Sequence, residues 1–495
     1  MRTPRGEALI LLSLVAATRL PLVGRSLGEP DAARYAVGLL QWLRGGSGAH
    51  FIYGKLLSPG YYAAAAAVVR MTSLAPLRVL EMVSVAAALA TAPVAWAVGS
   101  ELTSPEAAFW GSALFLLTPA VWWLGIEPHP QGTALLCVLM AMGARLKWRG
   151  AGGWAAATAA LTAGLLAKSD FILLAGIFPA LECSRRAGRG RILAACAIPA
   201  GALGLCEAGR DLILGIGWRA AQAGTAGTIR QFLALPQGRE WIKQLLPIVA
   251  GPGMGVWAII VLGLWLGWER GGARWRRRWG WPLAAWCVPL LGFWMLIRGN
   301  DARHMAALAL LPLWAAMDAI VPALRTQAAA RRKVAIAAAA AMLAACAMAM
   351  PPASSNTTLF PSGDVPGSVA DLADLNREMS RQVDAGSQGT RCWLGNSTLP
   401  YLELELLRRQ SGILQRLDGF DTVYAARFGS ERFVQADTTA EAIAIAQRCE
   451  QAPHSTARSL EFDAAGERVR FFGSEWKHLP LARRWYRASF HADAR

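Results

Sequence analysis

The chain has 495 residues, of which 54% are hydrophobic and only 17% are charged, and its formal net charge is +17. Its apolar runs are long enough to cross a bilayer as helices of about 20 residues, which excludes an ordinary soluble protein. The positive charge does not indicate nucleic-acid binding, since Arg and Lys lie in short clusters between the apolar runs, as in cytoplasmic loops. We therefore predict a polytopic membrane protein.

The first apolar run predicts a membrane-spanning helix over residues 6–24, with the basic segment "MRTPRGE" in the cytoplasm. The run has no small-x-small cleavage site, so we do not expect a removed signal peptide. Residues 25–76 would then lie outside, and their short apolar segment 59–71 is predicted to rest in the membrane interface. Tyr61 and Tyr62 begin this segment and are predicted interface anchors, with sugar contacts as the alternative.

Ten further spans are predicted from hydropathy, and the basic loops between them give their orientation. The predicted spans cover residues 77–99, 105–124, 131–147, 153–167, 170–182, 191–208, 245–268, 280–297, 304–324 and 333–350. With this count the four most basic loops lie on the same side as the N-terminus. A span at 59–71 would turn those loops outward, so about eleven spans is the self-consistent number.

The composition becomes polar after residue 350, and residues 351–495 are predicted to form a small extracytoplasmic α/β domain behind a transmembrane domain of residues 1–350. Strands are predicted at "TRCWLGN", "FDTVYAARFG" and "RVRFFGSEW", and helices at "LPYLELELLRRQSG" and "TTAEAIAIAQRCEQ". Cys392 and Cys449 would face an oxidising compartment, and their spacing leaves open whether they form a disulfide.

The predicted topology gathers polar residues at the outer ends of the helices. They are Glu29, Asp31, Arg34 and Tyr35, then Glu127 and His129, then Lys168 and Asp170, and finally Arg303 and His304. Any one of them could be a solvated loop residue, but a bare acid is costly to hold this close to hydrocarbon. Acids beside phosphate-binding cations favour a reaction on a phosphate-linked lipid. A carboxylate would take a proton from the acceptor hydroxyl, and cations would stabilise the departing phosphate.

Four segments resemble the GT-C glycosyltransferases, and the most similar group is the protein O-mannosyltransferases and lipid A aminoarabinose transferases, which use polyprenyl-phosphate sugars. "PDAARYA" resembles the signature "PDE-x-RYA" that follows the first helix of this group. "AKSDFILL" resembles its Lys-containing segment, and "NDARHMAALALLPLW" resembles its Arg-Tyr or Arg-His segment. "GIEPHPQGTALL" lies where the group carries a second acid. The resemblance covers about residues 1–325 and implies an all-α polytopic membrane fold of GT-C type.

The resemblance also implies roles for the acids. Asp31 takes the position of the catalytic acid and would act as general base toward the acceptor, although the following Glu of the signature is Ala32 here. Whether Glu29 substitutes for that Glu is open. Glu127 takes the place of the second acid, with His129 as the alternative. In some relatives the two acids help to hold a divalent metal. Glu127 and His129 could supply two ligands, which leaves a metal site open.

Cations are implied at the donor phosphate. Lys168 and Arg303 would contact it, and His304 would either share that role or cap the helix that follows. Arg34 and Tyr35 are candidate substrate or metal contacts, together with Glu29 and His129. No cofactor other than a divalent metal is expected.

These inferences predict a membrane glycosyltransferase that moves a sugar from a polyprenyl-phosphate donor to an extracytoplasmic hydroxyl of a lipid, glycan or protein, with inversion at the sugar carbon. The predicted location is a bacterial inner membrane, with the N-terminus in the cytoplasm and the tail outside. Three alternatives stay open. One is a transporter or lipid flippase, which would place ionisable groups near the midplane. Another is a non-catalytic scaffold whose tail is the functional part, and it predicts that Asp31→Asn leaves activity in the cell intact. The third is a surface-polysaccharide ligase or polymerase, which shares the donor chemistry.

Overall fold

The computed structural model describes residues 4–23, 30–43, 58–148, 150–214, 251–296 and 302–325, together with seven strands of the tail. The chain divides into two compact units. Unit 1 comprises Met1–Val23, Lys55–Leu74 and Arg78–Met350, and unit 2 comprises Gly24–Gly54, Ala75–Leu77 and Pro351–Arg495. The predicted division into domains at residue 350 stays a prediction.

Residues 4–325 are helical wherever they are described, apart from short turns. The helices are α1 Pro4–Arg19, α2 Pro30–Leu43, α3 Pro59–Thr72, α4 Pro76–Leu102, α5 Pro105–Leu116, α6 Pro119–Leu124, α7 Pro130–Lys147, α8 Ala151–Ala167, α9 Ile177–Ser184, α10 Arg189–Leu214, α11 Met254–Arg270, α12 Gly272–Leu296 and α13 Leu310–Arg325. The 3₁₀ segments are Leu20–Leu22, Ser169–Leu174 and Ala302–Ala309.

Helices α1 to α7 each begin with a proline. Proline suits the first position of a helix, because that residue needs no backbone N–H donor and its φ is already helical. The same preference makes one predicted helix wrong. Residues 105–124 were expected as a single helix, but Pro119 ends α5 at Leu116 and starts the short helix α6.

Two other predicted spans begin with 3₁₀ turns. In place of a helix at 170–182, the chain forms the 3₁₀ segment Ser169–Leu174 and then α9. In place of a helix from residue 304, the 3₁₀ segment Ala302–Ala309 leads into α13. The first segment follows directly on Lys168 and the second contains Arg303 and His304, so tight turns rather than regular helices carry part of the candidate site.

The basic run "ARWRRRWG" is also helical and not a loop. Helix α11 ends at Arg270 and α12 begins at Gly272, so the two helices are joined through Gly271. Gly272 has a φ of 57°, a left-handed conformation that glycine adopts without steric cost. The arginines of this run therefore occupy the first turns of α12.

In the core of unit 1, glycines leave space in which large side chains pack closely. Trp314 of α13 is fully buried, and a Cβ at Gly111 of α5 would lie 2.7 Å from its ring. A Cβ at Gly99 of α4 would lie 2.9 Å from the same ring. Helix α13 also crosses α11 closely, since a Cβ at Gly263 would lie 2.3 Å from the Cβ of Ala316. Close approach at glycines is characteristic of helix packing in membranes.

Three helical stretches within the described residues are long and apolar enough to cross a membrane. They are Pro76–Leu102, Arg189–Leu214 and Met305–Leu324, and Ala151–Ala167 is a shorter apolar helix. The predicted count of about eleven spans stays a prediction, since the span at 333–350 lies outside the described residues.

The described part of the tail forms a seven-stranded sheet in the order β2-β4-β3-β1-β6-β5-β7. Its strands are β1 Cys392–Gly395, β2 Leu414–Gln415, β3 Val423–Arg427, β4 Arg432–Ala436, β5 Arg458–Ala464, β6 Glu467–Phe472 and β7 Arg487–Ala492. Neighbours pair antiparallel except β2 with β4. Strands β1 and β3 lie within their predicted segments, and β6 overlaps the third, beginning one residue before it. Both predicted helices and Cys449 lie outside the described residues, so the α/β class and the disulfide stay predictions.

Candidate functional site

Glu127 and His129 lie in a tight turn between α6 and α7. The backbone N–H of His129 donates to the carbonyl of Glu127 at 2.8 Å, with Pro128 between them. This is a three-residue turn, and the fixed φ of proline suits its central position. Both side chains are buried, with 2% of Glu127 and none of His129 exposed. His129 precedes Pro130 in an extended conformation, and its side chain does not cap α7.

Arg19 contacts the chain on the N-terminal side of this turn. Because α5 ends before Pro119, the carbonyl of Leu116 is left without its helical partner, and the Arg19 guanidinium donates to it. The Ala120 N–H, which would have bonded Leu116 in a continuous helix, instead donates to Gly251 at 3.0 Å. Arg19 is fully buried, and a Cβ at Gly125 would lie 2.9 Å from its Nε. Position 125 is two residues before Glu127, and a larger residue there would therefore clash with Arg19.

Lys168 lies at the same end of unit 1 as this turn. Helices α7 and α8 form an antiparallel hairpin, in which a Cβ at Gly164 would lie 3.1 Å from the Cβ of Cys137. Lys168 follows one turn after Gly164, and its N–H donates to the Gly164 carbonyl at 2.8 Å. The end of α8 is therefore level with the start of α7, where His129 lies.

The Lys168 side chain is mostly buried and carries a charge beside an acid. Only 8% of Lys168 is exposed. Its Nζ lies 3.9 Å from Oδ2 of Asp170, which is too long for a direct hydrogen bond but close enough for a Coulombic attraction. Asp170 belongs to the 3₁₀ segment Ser169–Leu174, which packs against α7, α8 and α12.

The segment that carries Arg303 and His304 reaches the same region. The 3₁₀ segment Ala302–Ala309 packs against α6 and α7, the two helices that flank the Glu127 turn. It is anchored by Trp286 of α12, whose indole N–H donates to the Ala307 carbonyl at 2.9 Å. The side chains of Arg303 and His304 are outside the described residues, so their contacts with a phosphate stay predictions.

Two polar residues at the start of α7 were missed in the sequence. Oε1 of Gln131 and Oγ1 of Thr133 are buried and have no hydrogen-bond partner in the described part of the chain. Buried polar atoms normally find a partner, so these atoms are candidate substrate contacts. The sequence did contain a signal for them, since two polar residues two positions apart begin an otherwise apolar helix.

Tyr61 and Tyr62 also differ from the prediction. Both are buried, with 2% and 0% exposed, and so they do not face lipid headgroups as interface anchors. They belong to the start of α3, where a Cβ at Gly60 would lie 2.8 Å from the Cβ of Leu166. Leu166 lies two residues before Lys168, so α3 begins beside the candidate site and not in a separate interfacial layer.

The first predicted acid lies in unit 2. Asp31 and Arg34 are the second and fifth residues of α2, and their side chains are outside the described residues. Tyr35, the next residue, is buried. Glu29 lies outside the described residues. The structure thus brings Glu127, His129, Lys168 and the segment Ala302–Ala309 together within unit 1, and the joining of Asp31 with them stays a prediction.

Metal binding has limited support from the side chains. Within the described residues, no group of three or more His, Cys, Asp and Glu side chains could hold a metal ion. Glu127 and His129 offer at most an oxygen and a nitrogen ligand from one turn. No step proposed below therefore depends on a metal.

No protein-family model matches the sequence, and no curated protein matches it at a significant level. Among solved structures, the chain is similar to the crystal structure of the oligosaccharyltransferase of Archaeoglobus fulgidus, which holds a tethered acceptor peptide containing the NVT sequon. The match has a TM-score of 0.51 and 12% sequence identity, and it covers 96% of this chain and 74% of the other. At this identity the likeness concerns the fold. The chain is therefore a mostly helical membrane protein whose fold is similar to that of this oligosaccharyltransferase.

Proposed function

We propose that the chain is a membrane glycosyltransferase that moves a sugar from a polyprenyl-phosphate donor to an extracytoplasmic hydroxyl. One observation carries this proposal. A buried carboxylate, Glu127, and a mostly buried amino group, Lys168, lie at the same end of one helical unit, and the two helices that flank Glu127 also contact the segment of Arg303 and His304. Buried ionisable groups in a membrane protein are costly and mark functional sites.

The reaction needs both kinds of group. A carboxylate takes the proton from the acceptor hydroxyl as its oxygen attacks the anomeric carbon of the sugar. The bond between that carbon and the phosphate oxygen breaks, and the polyprenyl phosphate leaves with the bonding electrons. Lys168 and Arg303 would hold this phosphate and stabilise its charge as the bond breaks. A single displacement inverts the configuration of the anomeric carbon.

Two acids are candidates for the general base. The resemblance to the GT-C signature assigns it to Asp31 in the first turn of α2, and Glu127 is a buried acid at the same end of unit 1 as Lys168. We propose that Asp31 accepts the proton and that Glu127 orients the acceptor or the donor sugar. The fold of the oligosaccharyltransferase supports sugar transfer as the reaction class. The acceptor is a hydroxyl of an envelope lipid, a glycan or a protein.

One feature that could have favoured a transporter has another explanation. Glu182 is a buried acid, as expected on a proton or ion path, but it pairs with the guanidinium of Arg145. That guanidinium also lies 4.1 Å from the centre of the Trp154 ring. Both contacts lie at the far end of α7, so Glu182 has a structural role in fastening α7 to α9.

The test compares envelope glycans and lipids by mass spectrometry in a deletion strain that carries the wild type, Asp31→Asn, Glu127→Gln or Glu269→Gln. Glu269 is an exposed acid of α11 and serves as the control for loss of one carboxylate. We expect the wild type and the control to restore one glycosyl unit that the two site variants do not restore. The glycosyl unit found would name the sugar and the acceptor.

The opposite result would refute the proposal. If Asp31→Asn and Glu127→Gln both restore the missing unit fully, the acids do not act in sugar transfer. If no glycan changes while the deletion alters the lipids exposed on the outer leaflet, the protein is a flippase. For orientation, a reporter fused after residue 360 should be active outside the cytoplasm, and cytoplasmic activity would reverse the predicted topology.

A further inference from the structure

A second polar site lies at the opposite end of unit 1. A cavity of about 310 Å³ opens between the end of α4, the end of α9 and the first turns of α12. Its charged lining consists of Glu101, Arg185, Arg186, Arg274, Arg277 and Arg278. Leu102 and Pro282 add an apolar part to the same wall. None of these residues has a role in the proposed sugar transfer.

The charges around this cavity are unbalanced within the described residues. Outside the lining, Asp318 of α13 accepts hydrogen bonds from Nη1 of Arg278 at 3.3 Å and from the indole of Trp279 at 2.9 Å. Apart from Arg185, four guanidinium groups line the cavity against two carboxylates, those of Glu101 and Asp318, which leaves an excess of two positive charges. Like charges held together repel one another, so an anion in the cavity would stabilise them.

The backbone at Arg186 is independent support. Helix α9 ends in a Schellman motif, in which the N–H of Arg186 donates to Cys183 at 3.1 Å and the N–H of Ala187 donates to Glu182 at 3.0 Å. The motif requires a left-handed residue, and Arg186 has a φ of 54°. Glycine is the usual residue there, because a Cβ is disfavoured in this conformation. The chain instead retains an arginine whose side chain lines the cavity.

The cavity lies about one membrane thickness from the candidate active site. Helix α7 has 18 residues, and its last turn carries Arg145, which pairs with Glu182 in α9. The end of α9 is therefore about 27 Å from the turn of Glu127 and His129, at a rise of about 1.5 Å per residue. In the predicted topology this end is cytoplasmic, at the depth of the lipid headgroups.

We propose that the cavity binds a phosphate-bearing anion, and that this anion is the headgroup of an acidic phospholipid of the cytoplasmic leaflet. The planar guanidinium groups would hold the phosphate oxygens in paired hydrogen bonds. Leu102 and Pro282 would contact the glycerol and the first acyl carbons. Basic pockets between helix ends on the cytoplasmic side are suited to acidic lipids. The proposal depends on the predicted membrane orientation but not on sugar transfer.

The experiment measures lipid binding to the full chain by native mass spectrometry, with phosphatidylglycerol and phosphatidylcholine as probes. We expect phosphatidylglycerol to bind more tightly than phosphatidylcholine. Loss of phosphate contacts in Arg186→Gly, or in the double variant Arg274→Gln with Arg277→Gln, should weaken its binding about tenfold. Arg186→Gly removes the disfavoured left-handed arginine, so its unfolding temperature without added lipid should equal or exceed that of the wild type. A loss of binding in a variant that folds at least as well cannot be ascribed to misfolding.

Arg276→Gln is the matched control. Arg276 belongs to the same turns of α12, but its guanidinium lies 4.8 Å over the Trp268 ring and does not line the cavity. If the control weakens binding as much as the other variants do, the effect is general surface charge and the proposal fails. Equal binding in all variants would also overturn it. Inorganic phosphate and glycerol phosphate are tested alongside the lipids. If they bind with the same dependence on the arginines and the lipid shows no advantage, the anion site is supported and its ligand is soluble.

Discussion

Lys168 offers a direct test of the phosphate site, because its structural and functional roles can be separated. Its Nζ lies 3.9 Å from Asp170 Oδ2, and the two side chains are 9% and 23% exposed. Lys168→Met removes a cation and leaves a partly buried carboxylate, so we expect a loss of about 1 to 3 kcal/mol in the free energy of unfolding. A contact between charged groups in such a site contributes about 1.5 to 3 kcal/mol, so the affinity for a polyprenyl phosphate should fall about ten- to hundredfold.

The second partner separates these effects. In Lys168→Met with Asp170→Asn, the carboxylate is also neutral, so stability should return toward that of the wild type while affinity stays low. Asp170→Asn alone should bind the anion at least as well as the wild type, because it removes a negative charge near the phosphate. The assays are the dissociation constant for a short-chain polyprenyl phosphate and the unfolding temperature in detergent. Lys147→Met, in the last turn of α7 at the other end of the helix, is the control.

The reasoning would be refuted if affinity followed stability through the whole cycle. A double variant that regains both would show that Lys168 only balances Asp170. Unchanged affinity in Lys168→Met would remove the lysine from the phosphate site altogether.

Further predictions concern the helix contacts. Gly263→Ala should lower the free energy of unfolding by about 1 to 3 kcal/mol, because its Cβ would lie 2.3 Å from that of Ala316, whereas Gly204→Ala, with nothing within 4 Å, should be neutral or stabilising. Equal unfolding temperatures for the two variants would contradict the close crossing of α11 and α13. Arg145→Leu should cost about 3 to 5 kcal/mol by leaving Glu182 buried and unpaired, and adding Glu182→Leu should restore most of it, as measured by thermal unfolding. Additive losses in the double variant would disprove that the pair acts as a unit.

Much of the helical layout follows from hydropathy alone. The prediction of a span at 77–99 agrees closely with α4, Pro76–Leu102, because that stretch is long and apolar, and it stays helical through the internal Pro93. The prediction at 105–124 is wrong for a local reason, since averaging hydropathy over a window hides the effect of Pro119. The basic run in the first turns of α12 is not a loop as predicted, because charge and not helix propensity guided that prediction.

Only part of the candidate site could be predicted from the sequence. Glu127, His129 and Lys168 were expected at the same end of the helices, and within unit 1 the structure places them there. Arg19 was missed, because its partner is the carbonyl of Leu116, 97 positions away. That carbonyl lacks its helical partner only because Pro119 breaks the helix. Contacts of that kind depend on tertiary packing and have no spacing rule.

The packing of Trp314 has a consequence for the segment that carries Arg303 and His304. Its ring rests where Gly99 and Gly111 leave space, and the helix that bears it continues directly from the segment of Arg303 and His304. A larger residue at either glycine would displace the Trp314 ring, and with it α13 and the segment that leads into α13. The positions of Arg303 and His304 therefore depend on two glycines in other helices, and a substitution at Gly99 or Gly111 would disturb the proposed phosphate contacts from a distance.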